Sequence, residues 1–372
     1  MPFEIHVGPN IRKSPYFDAT VADGVRSFSV YNHMYIPGNF GDPEAEYRRL
    51  LHAVAMWDVG AQRQVEVTGP DAERLVRYLT TRGLSGTRAG QGRYVPLCNH
   101  DGVLVNDPVL LKFSETRYWL SIADSDIALW ADAIARERGL DVRVFESDAS
   151  PMAIQGPKAR DLARDLFGDW ALELKYFWFR ETALDGIPLV LARSGWSKQG
   201  GFELYLLDAT RGTELWEAVK RAGRPYDIGP GAPNDQERLE SGLISYGAEA
   251  RYQNFPANPF ELGLGSMVHL DRADDFVGRS ALRRIRDEGI RRRRVGLFID
   301  GDPVAPNGHP LDLTLAGEVV GVVCEVAHSP RLARSIGIAL LGNQVADDET
   351  ELSIRLAPTD ERRVTITSLP FI

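Results

Sequence analysis

Apolar residues along this chain fall mostly into short runs cut by Gly, Pro, Asn and Asp, with a few stretches at helical spacing between them. Short strands and scattered amphipathic helices, without a strict strand–helix alternation, predict an α+β fold. Residues 64–67 read as a strand that stops at Gly69-Pro70, and Asp71 stands where a helix through Leu75 and Tyr78 needs its N-cap. The same grammar returns later. Met152-Ala153-Ile154-Gln155 reads as a strand, Gly156-Pro157-Lys158 as a turn, and residues 159–167 carry helical spacing. That recurrence predicts two related α+β subdomains with a seam near residues 148–151.

Downstream, residues 280–285 read as helical and 295–299 as a strand. Between them the arginine-rich stretch 284–294 reads as a solvated connector. From there to residue 372 strands alternate with turns such as Asp302-Pro303, Pro306-Asn307-Gly308, Gly317 and Gly321, predicting a small β-barrel or sandwich. The expected domains are therefore residues 1–285, holding both subdomains, and 290–372.

The 372 residues exceed the usual size of one core, in keeping with that division. A formal charge of -9 argues against nucleic acid or an anionic membrane surface as the main partner. Cys98 and Cys324 are too few for a disulfide framework and lack the spacing of a zinc site. Residues 1–13 lack the apolar core of a signal peptide, and no apolar run reaches the ~20 residues that span a bilayer. These features predict a cytoplasmic protein. Phosphate-binding, dinucleotide, zinc-protease and nucleophile-elbow motifs are all missing, and the seven histidines show no metal-ligand spacing, so no metal is expected.

The chemistry-bearing segment is a glycine-rich loop that runs into a strand, Ala192-Arg193-Ser194-Gly195-Trp196-Ser197-Lys198-Gln199-Gly200-Gly201-Phe202-Glu203-Leu204-Tyr205. Period-two alternation puts Glu203 and Tyr205 on one face, opposite Phe202 and Leu204. A carboxylate held there is a good acceptor for adjacent N–H groups, such as the amino-pyrimidine edge of a pterin. An exposed glutamate on an ordinary strand is the commoner reading.

This segment resembles the G-Y-T-G-E-D-G-F-E loop of the aminomethyltransferase (glycine-cleavage T-protein) superfamily. Other marks stand in the family's order: Tyr94 through Asn106-Asp107, Ile154-Gln155-Gly156-Pro157-Lys158-Ala159, Glu237-Arg238-Leu239-Glu240-Ser241-Gly242-Leu243, Asn258 through Gly265 with Asp275-Phe276-Val277-Gly278-Arg279, and Ser329-Pro330 with Ile336-Gly337. Within that superfamily the stretches Ser14-Pro15-Tyr16-Phe17, Lys175-Tyr176-Phe177-Trp178, Gly195-Trp196-Ser197-Lys198 and Leu369-Pro370-Phe371-Ile372 are similar to dimethylsulfoniopropionate demethylases. The loop reads Ser197-Lys198-Gln199-Gly200 where glycine-cleavage proteins read T-G-E-D, which argues against aminomethyl transfer from a lipoyl carrier. Residues 247–257, with Arg251, Tyr252 and Phe255, depart from the demethylase pattern and keep a related donor open.

The resemblance implies a folate-binding fold of two related subdomains plus a C-terminal β-barrel, three lobes around a central folate site. It implies methyl transfer from a small-molecule onium substrate to N5 of tetrahydrofolate. A sulfonium methyl group is activated by its own charge, so alignment does most of the work. Aromatic faces bind such a cation for roughly 0.5–2 kcal/mol each. The resemblance puts Trp170, Trp196 and Tyr205 nearest the sulfonium, with Tyr31 a further aromatic candidate. It puts Tyr94, Trp178, Glu203 and Arg238 at the folate. Each tryptophan is as readily a core aromatic. Lys198 is the candidate partner of the donor carboxylate. Asn106 or Asp107 would orient N5, with Asp107 a candidate proton acceptor, although Asn-Asp before Pro108 is equally a plain turn. Competing readings are a demethylase of another methylated compound, a glycine-cleavage aminomethyltransferase, and a folate-binding regulator without turnover. The oligomeric state is not fixed by the sequence, which admits a homodimer.

Overall fold

The computed structural model describes residues 7–347 and 351–372, so the first six residues of the stretch 1–13 lie outside it. The chain divides into two units. One comprises Met1–Val76, Ser85–Tyr94 and Pro108–Pro233, the other Arg77–Leu84, Val95–Asp107 and Asn234–Ile372.

Two sheets build the first unit. An antiparallel five-stranded sheet runs in the order Arg143–Glu146, Gln64–Thr68, Arg117–Ser121, Val109–Ser114, Gln91–Tyr94. A six-stranded sheet runs Phe179–Leu184, Ile187–Ala192, Gly201–Leu206, Ser150–Gln155, Val54–Asp58, Ile228–Gly231, with only the last pair parallel. The helices Ala159–Phe167 and Gly212–Ala222 bury their apolar stripes (Leu162 and Ala163; Leu215, Trp216 and Val219) on one face of it, with Phe202 and Leu204. Its other face meets the five-stranded sheet through Tyr205, Val190, Ala192, Leu111 and Trp119.

The recurrence of strand, glycine and helix has a steric cause. Gly69 and Gly156 end their strands at φ 129° and 126°, where a Cβ would stand 2.5 Å from Asp141 O and 2.4 Å from Ala53 O. Glycine alone lets the chain turn from strand to helix so close to another backbone.

The second unit contains the hairpin Leu97–Cys98 with Leu104–Asn106, the helices Asp235–Glu240 and Arg279–Glu288, and a closed six-stranded barrel. Around the barrel the order is Arg292–Ile299, Arg334–Gly342, Glu318–Ser329, Leu311–Leu315, Leu352–Ala357, Asp360–Thr367. Its interior holds Leu297, Leu313, Val323, Val326, Ile354 and Val364.

The arginine-rich stretch is a correction to the sequence reading. Residues 284–288 belong to the helix and 292–294 to the first barrel strand, leaving only 289–291 as connector. Each strand arginine finds an acid: Arg292 bonds Glu261 at 3.1 Å, Arg293 bonds Asp347 at 2.6 Å, and Arg294 pairs with Glu249. Paired guanidinium groups tolerate burial that solvated ones do not. Among the described residues no helix is long and apolar enough to cross a membrane.

Candidate functional site

Alternation along Gly201–Leu206 sends Phe202 and Leu204 into the helix-side core and Glu203 and Tyr205 to the opposite face. Glu203 retains 7% of its surface. Its Oε2 accepts from Ser194 Oγ and, at 3.0 Å, from the Tyr205 hydroxyl. Both donors converge on Oε2, and Oε1 has no hydrogen-bond partner among the described residues. Burial raises the Glu203 carboxyl above its ordinary value, against the lowering effect of the two hydroxyls. Burial, then the Glu203 charge, pushes the Tyr205 phenol well up, so it stays a donor. The Tyr176 hydroxyl is raised by desolvation and by the same charge, although the residue is 58% exposed. A carboxyl pinned by two hydroxyls, with one open oxygen and aromatic rings beside it, is fitted to a flat heterocycle with an N–H edge.

Behind Tyr205 stands Trp119, its ring centroid 6.0 Å away. The indole N–H donates to Glu66 Oε2 at 2.8 Å, and Arg117 Nε donates to Glu66 Oε1 at 2.9 Å. The sequence reading missed this support. Glu66 alternates with Val65 and Val67 as a solvent-facing residue would, and its partner lies 53 positions away.

Of the residues expected at the site, the first unit brings several together. Phe179 pairs with Ala192 and Ala192 with Glu203, while Trp178 O accepts from Arg193 N at 2.9 Å, so Trp178 stands at the root of the glycine-rich loop. Gln91 bridges Trp178, which brings the strand Gln91–Tyr94 and its terminal Tyr94 to the same edge. Within the loop Trp196 is half-buried and Lys198 exposed.

Trp170 is not on the Glu203 face. It packs against the cluster that contains Phe202 and Leu204, with the Arg180 guanidinium 4.6 Å from its ring centroid, so a cation already covers it. Tyr31 ends the hairpin strand Ser27–Tyr31, before a turn with Asn32 and His33 at φ 48° and 59°. Asn106, Asp107 and Arg238 belong to the second unit. Asn106 is fully buried opposite Leu97, and Asp107, half-buried, follows it. Arg238, also fully buried, pairs with Glu249 and Glu325 and donates to Leu243 O at 3.1 Å, which makes it an ion-pair hub. Among the described residues no group of three or more His, Cys, Asp or Glu is placed to hold a metal ion.

Comparison with known proteins bears on both units. Residues 16–272 match the family described as the GCVT N-terminal domain, and residues 292–372 match the glycine cleavage T-protein C-terminal barrel domain. The chain is 37% identical over 356 residues to dimethylsulfoniopropionate demethylase DmdA of Ruegeria pomeroyi, covering 96% of each chain. It is 31% identical to an aminomethyltransferase of Rubrobacter xylanophilus, covering 97% of this chain and 94% of the relative. The crystal structure of the glycine cleavage system aminomethyltransferase T from Bartonella henselae superposes with a TM-score of 0.84 at 23% identity, covering 97% of this chain and 98% of that one, and so shares the fold.

Proposed function

Since the chain belongs to the glycine-cleavage T-protein family and is a tetrahydrofolate-dependent group-transfer enzyme, we propose that it is a demethylase taking a methyl group from dimethylsulfoniopropionate or a closely related onium compound. The observation that carries this reading is the 37% identity to the demethylase across 96% of both chains, against 31% and 28% for two aminomethyltransferases. The loop sequence Ser197-Lys198-Gln199-Gly200 supports it, since it replaces the family's acidic T-G-E-D.

Bound tetrahydrofolate supplies N5 as the methyl acceptor. In this proposal Glu203 Oε1 accepts from the pterin N–H edge, while Ser194 and Tyr205 hold the other oxygen. Trp196 presents a ring face to the donor cation, and Lys198 meets the donor carboxylate. The donor's C–S bond breaks with its electron pair left on sulfur, giving a neutral thioether, as the C–N bond forms. The proton released from nitrogen passes to water. Holding the reactants in line is the main contribution asked of the protein.

The test combines a donor panel with one variant. Wild-type protein given dimethylsulfoniopropionate and tetrahydrofolate is expected to yield 5-methyltetrahydrofolate by mass. Methylene transfer from a lipoyl-bound aminomethyl donor instead would establish the aminomethyltransferase reading. Glu203→Gln should weaken tetrahydrofolate binding by about 10- to 150-fold by calorimetry, since a hydrogen bond to a charged acceptor is worth ~1.5–3 kcal/mol. Unchanged affinity would reject Glu203 as the acceptor.

A further inference from the structure

The glycine-rich loop is built around one amide. Gln155 ends the strand Ser150–Gln155 with no exposed surface. Its Nε2 donates to Ser194 O at 3.2 Å and to Ile154 O at 3.3 Å, and its Oε1 accepts from Ser197 Oγ at 2.8 Å. The neighbouring Gly156 N donates to Gly200 O at 2.9 Å. Both ends of the loop are therefore tied to the last residue of one strand and the glycine that follows it.

Gly195 and Gly201 are shaped by the same side chain. A Cβ at Gly195 would stand 2.1 Å from Gln155 Nε2, and one at Gly201 would stand 2.5 Å from it. Their φ angles of 153° and 150° also lie where other residues are strained. The loop wraps the amide with no room to spare. Through its bond to Ser194 O, the amide fixes the backbone of the residue whose hydroxyl donates to Glu203 Oε2.

We propose that Gln155 is a positioning residue for the folate site: it holds Ser194 so that the serine hydroxyl engages Oε2 of Glu203 and Oε1 stays open to ligand. The proposal rests on reading Glu203 as the pterin acceptor. Without the amide, Ser194 O and Ser197 Oγ lose a buried partner and the loop loses the surface it is moulded on. Ser194 is then free to donate elsewhere.

Gln155→Met tests this, because it keeps length and volume while removing both polar ends. Tetrahydrofolate affinity is measured by calorimetry on the full chain, alongside thermal unfolding, for wild type, Gln155→Met, Ser194→Ala and the double variant. Gln155→Met is expected to fold and to bind tetrahydrofolate about tenfold more weakly, the scale of one charge-assisted hydrogen bond. The donor KM should rise by less than the folate affinity falls, since Trp196 and Lys198 share the loop but not the bond between Ser194 and Glu203. The double variant should bind no more weakly than the weaker single one, because both act through the same hydroxyl. Ser197→Ala removes only the partner of Oε1, should weaken folate binding in the same direction, and decides the matter if Gln155→Met does not fold. Unchanged folate affinity in a folded variant, or additive losses in the double variant, would overturn the inference. If wild-type binding depends on Glu203 while these variants leave it unchanged, only this inference fails. If the wild type does not bind tetrahydrofolate, the functional reading fails with it.

Discussion

Asp58 is fully buried at the end of the strand Val54–Asp58, accepting from Ser14 Oγ at 2.5 Å and Gly60 N at 3.0 Å. Desolvation outweighs both bonds and pushes its pKa from 3.8 to about 6. A raised carboxyl means that the folded state binds the proton more tightly than the unfolded chain. Its contribution to stability is complete below the unfolded value and is lost as pH rises through about 6. The loss integrates to about 3 kcal/mol, at roughly 1.4 kcal/mol per unit. Asp58→Asn, which cannot ionise, should therefore gain about 3 kcal/mol relative to wild type between pH 4 and pH 8, measured by urea unfolding at each pH. A pH-independent difference would show that the carboxyl titrates alike in both states. Single residues of this kind were hard to read from sequence. That Glu203 shares a face with Tyr205 was legible, because strand alternation puts both on one side. Ser194 stood in the glycine-rich loop, but nothing in its spacing says that its hydroxyl turns back to Glu203.

Strands and helices were read well where the signal is local and poorly where charge is balanced at a distance. The helix 159–167 was legible from its own spacing, and it has the same bounds in the structure. The first barrel strand was expected at 295–299 but begins at Arg292, because arginines in sequence look solvated. Their partners Glu261, Glu249 and Asp347 lie 31, 45 and 54 positions away. Glu249 is the crux. It is fully buried and pairs with both Arg238 and Arg294. Glu249→Gln keeps the shape but leaves two guanidinium groups without their shared counter-charge, and should cost about 3–5 kcal/mol in urea unfolding. A loss under ~1 kcal/mol would mean that water or another acid takes the place of the carboxylate.

At the scale of the whole molecule, the α+β character and the C-terminal barrel were both legible, since they follow from runs and turns along the chain. Residues 290–372 were set apart as a domain by that pattern. The barrel nevertheless leans on the helix Asp235–Glu240: Ala327, Ile336 and Ile338 pack on Leu239, while Ser329, Arg331 and Phe371 N all bond Glu240. A fragment 290–372 should melt at least ~5 °C below a fragment 234–372 and bind a hydrophobic dye, as each lost kcal/mol lowers the melting point of so small a domain by about 4–8 °C. Equal melting points would show that the helix adds nothing. What no local pattern reveals is that the chain passes between the two units at 76/77, 84/85, 94/95, 107/108 and 233/234. Synthesis from the N-terminus turns that threading into a delay. The segments 77–84 and 95–107 leave the ribosome roughly 130 residues before their partners from 234 onward, a wait on the order of ten seconds at about 5–20 residues per second. For that interval the nascent chain carries Leu97, Leu104 and Val105, all buried in the finished protein, with none of the second unit from residue 234 onward yet made to cover them.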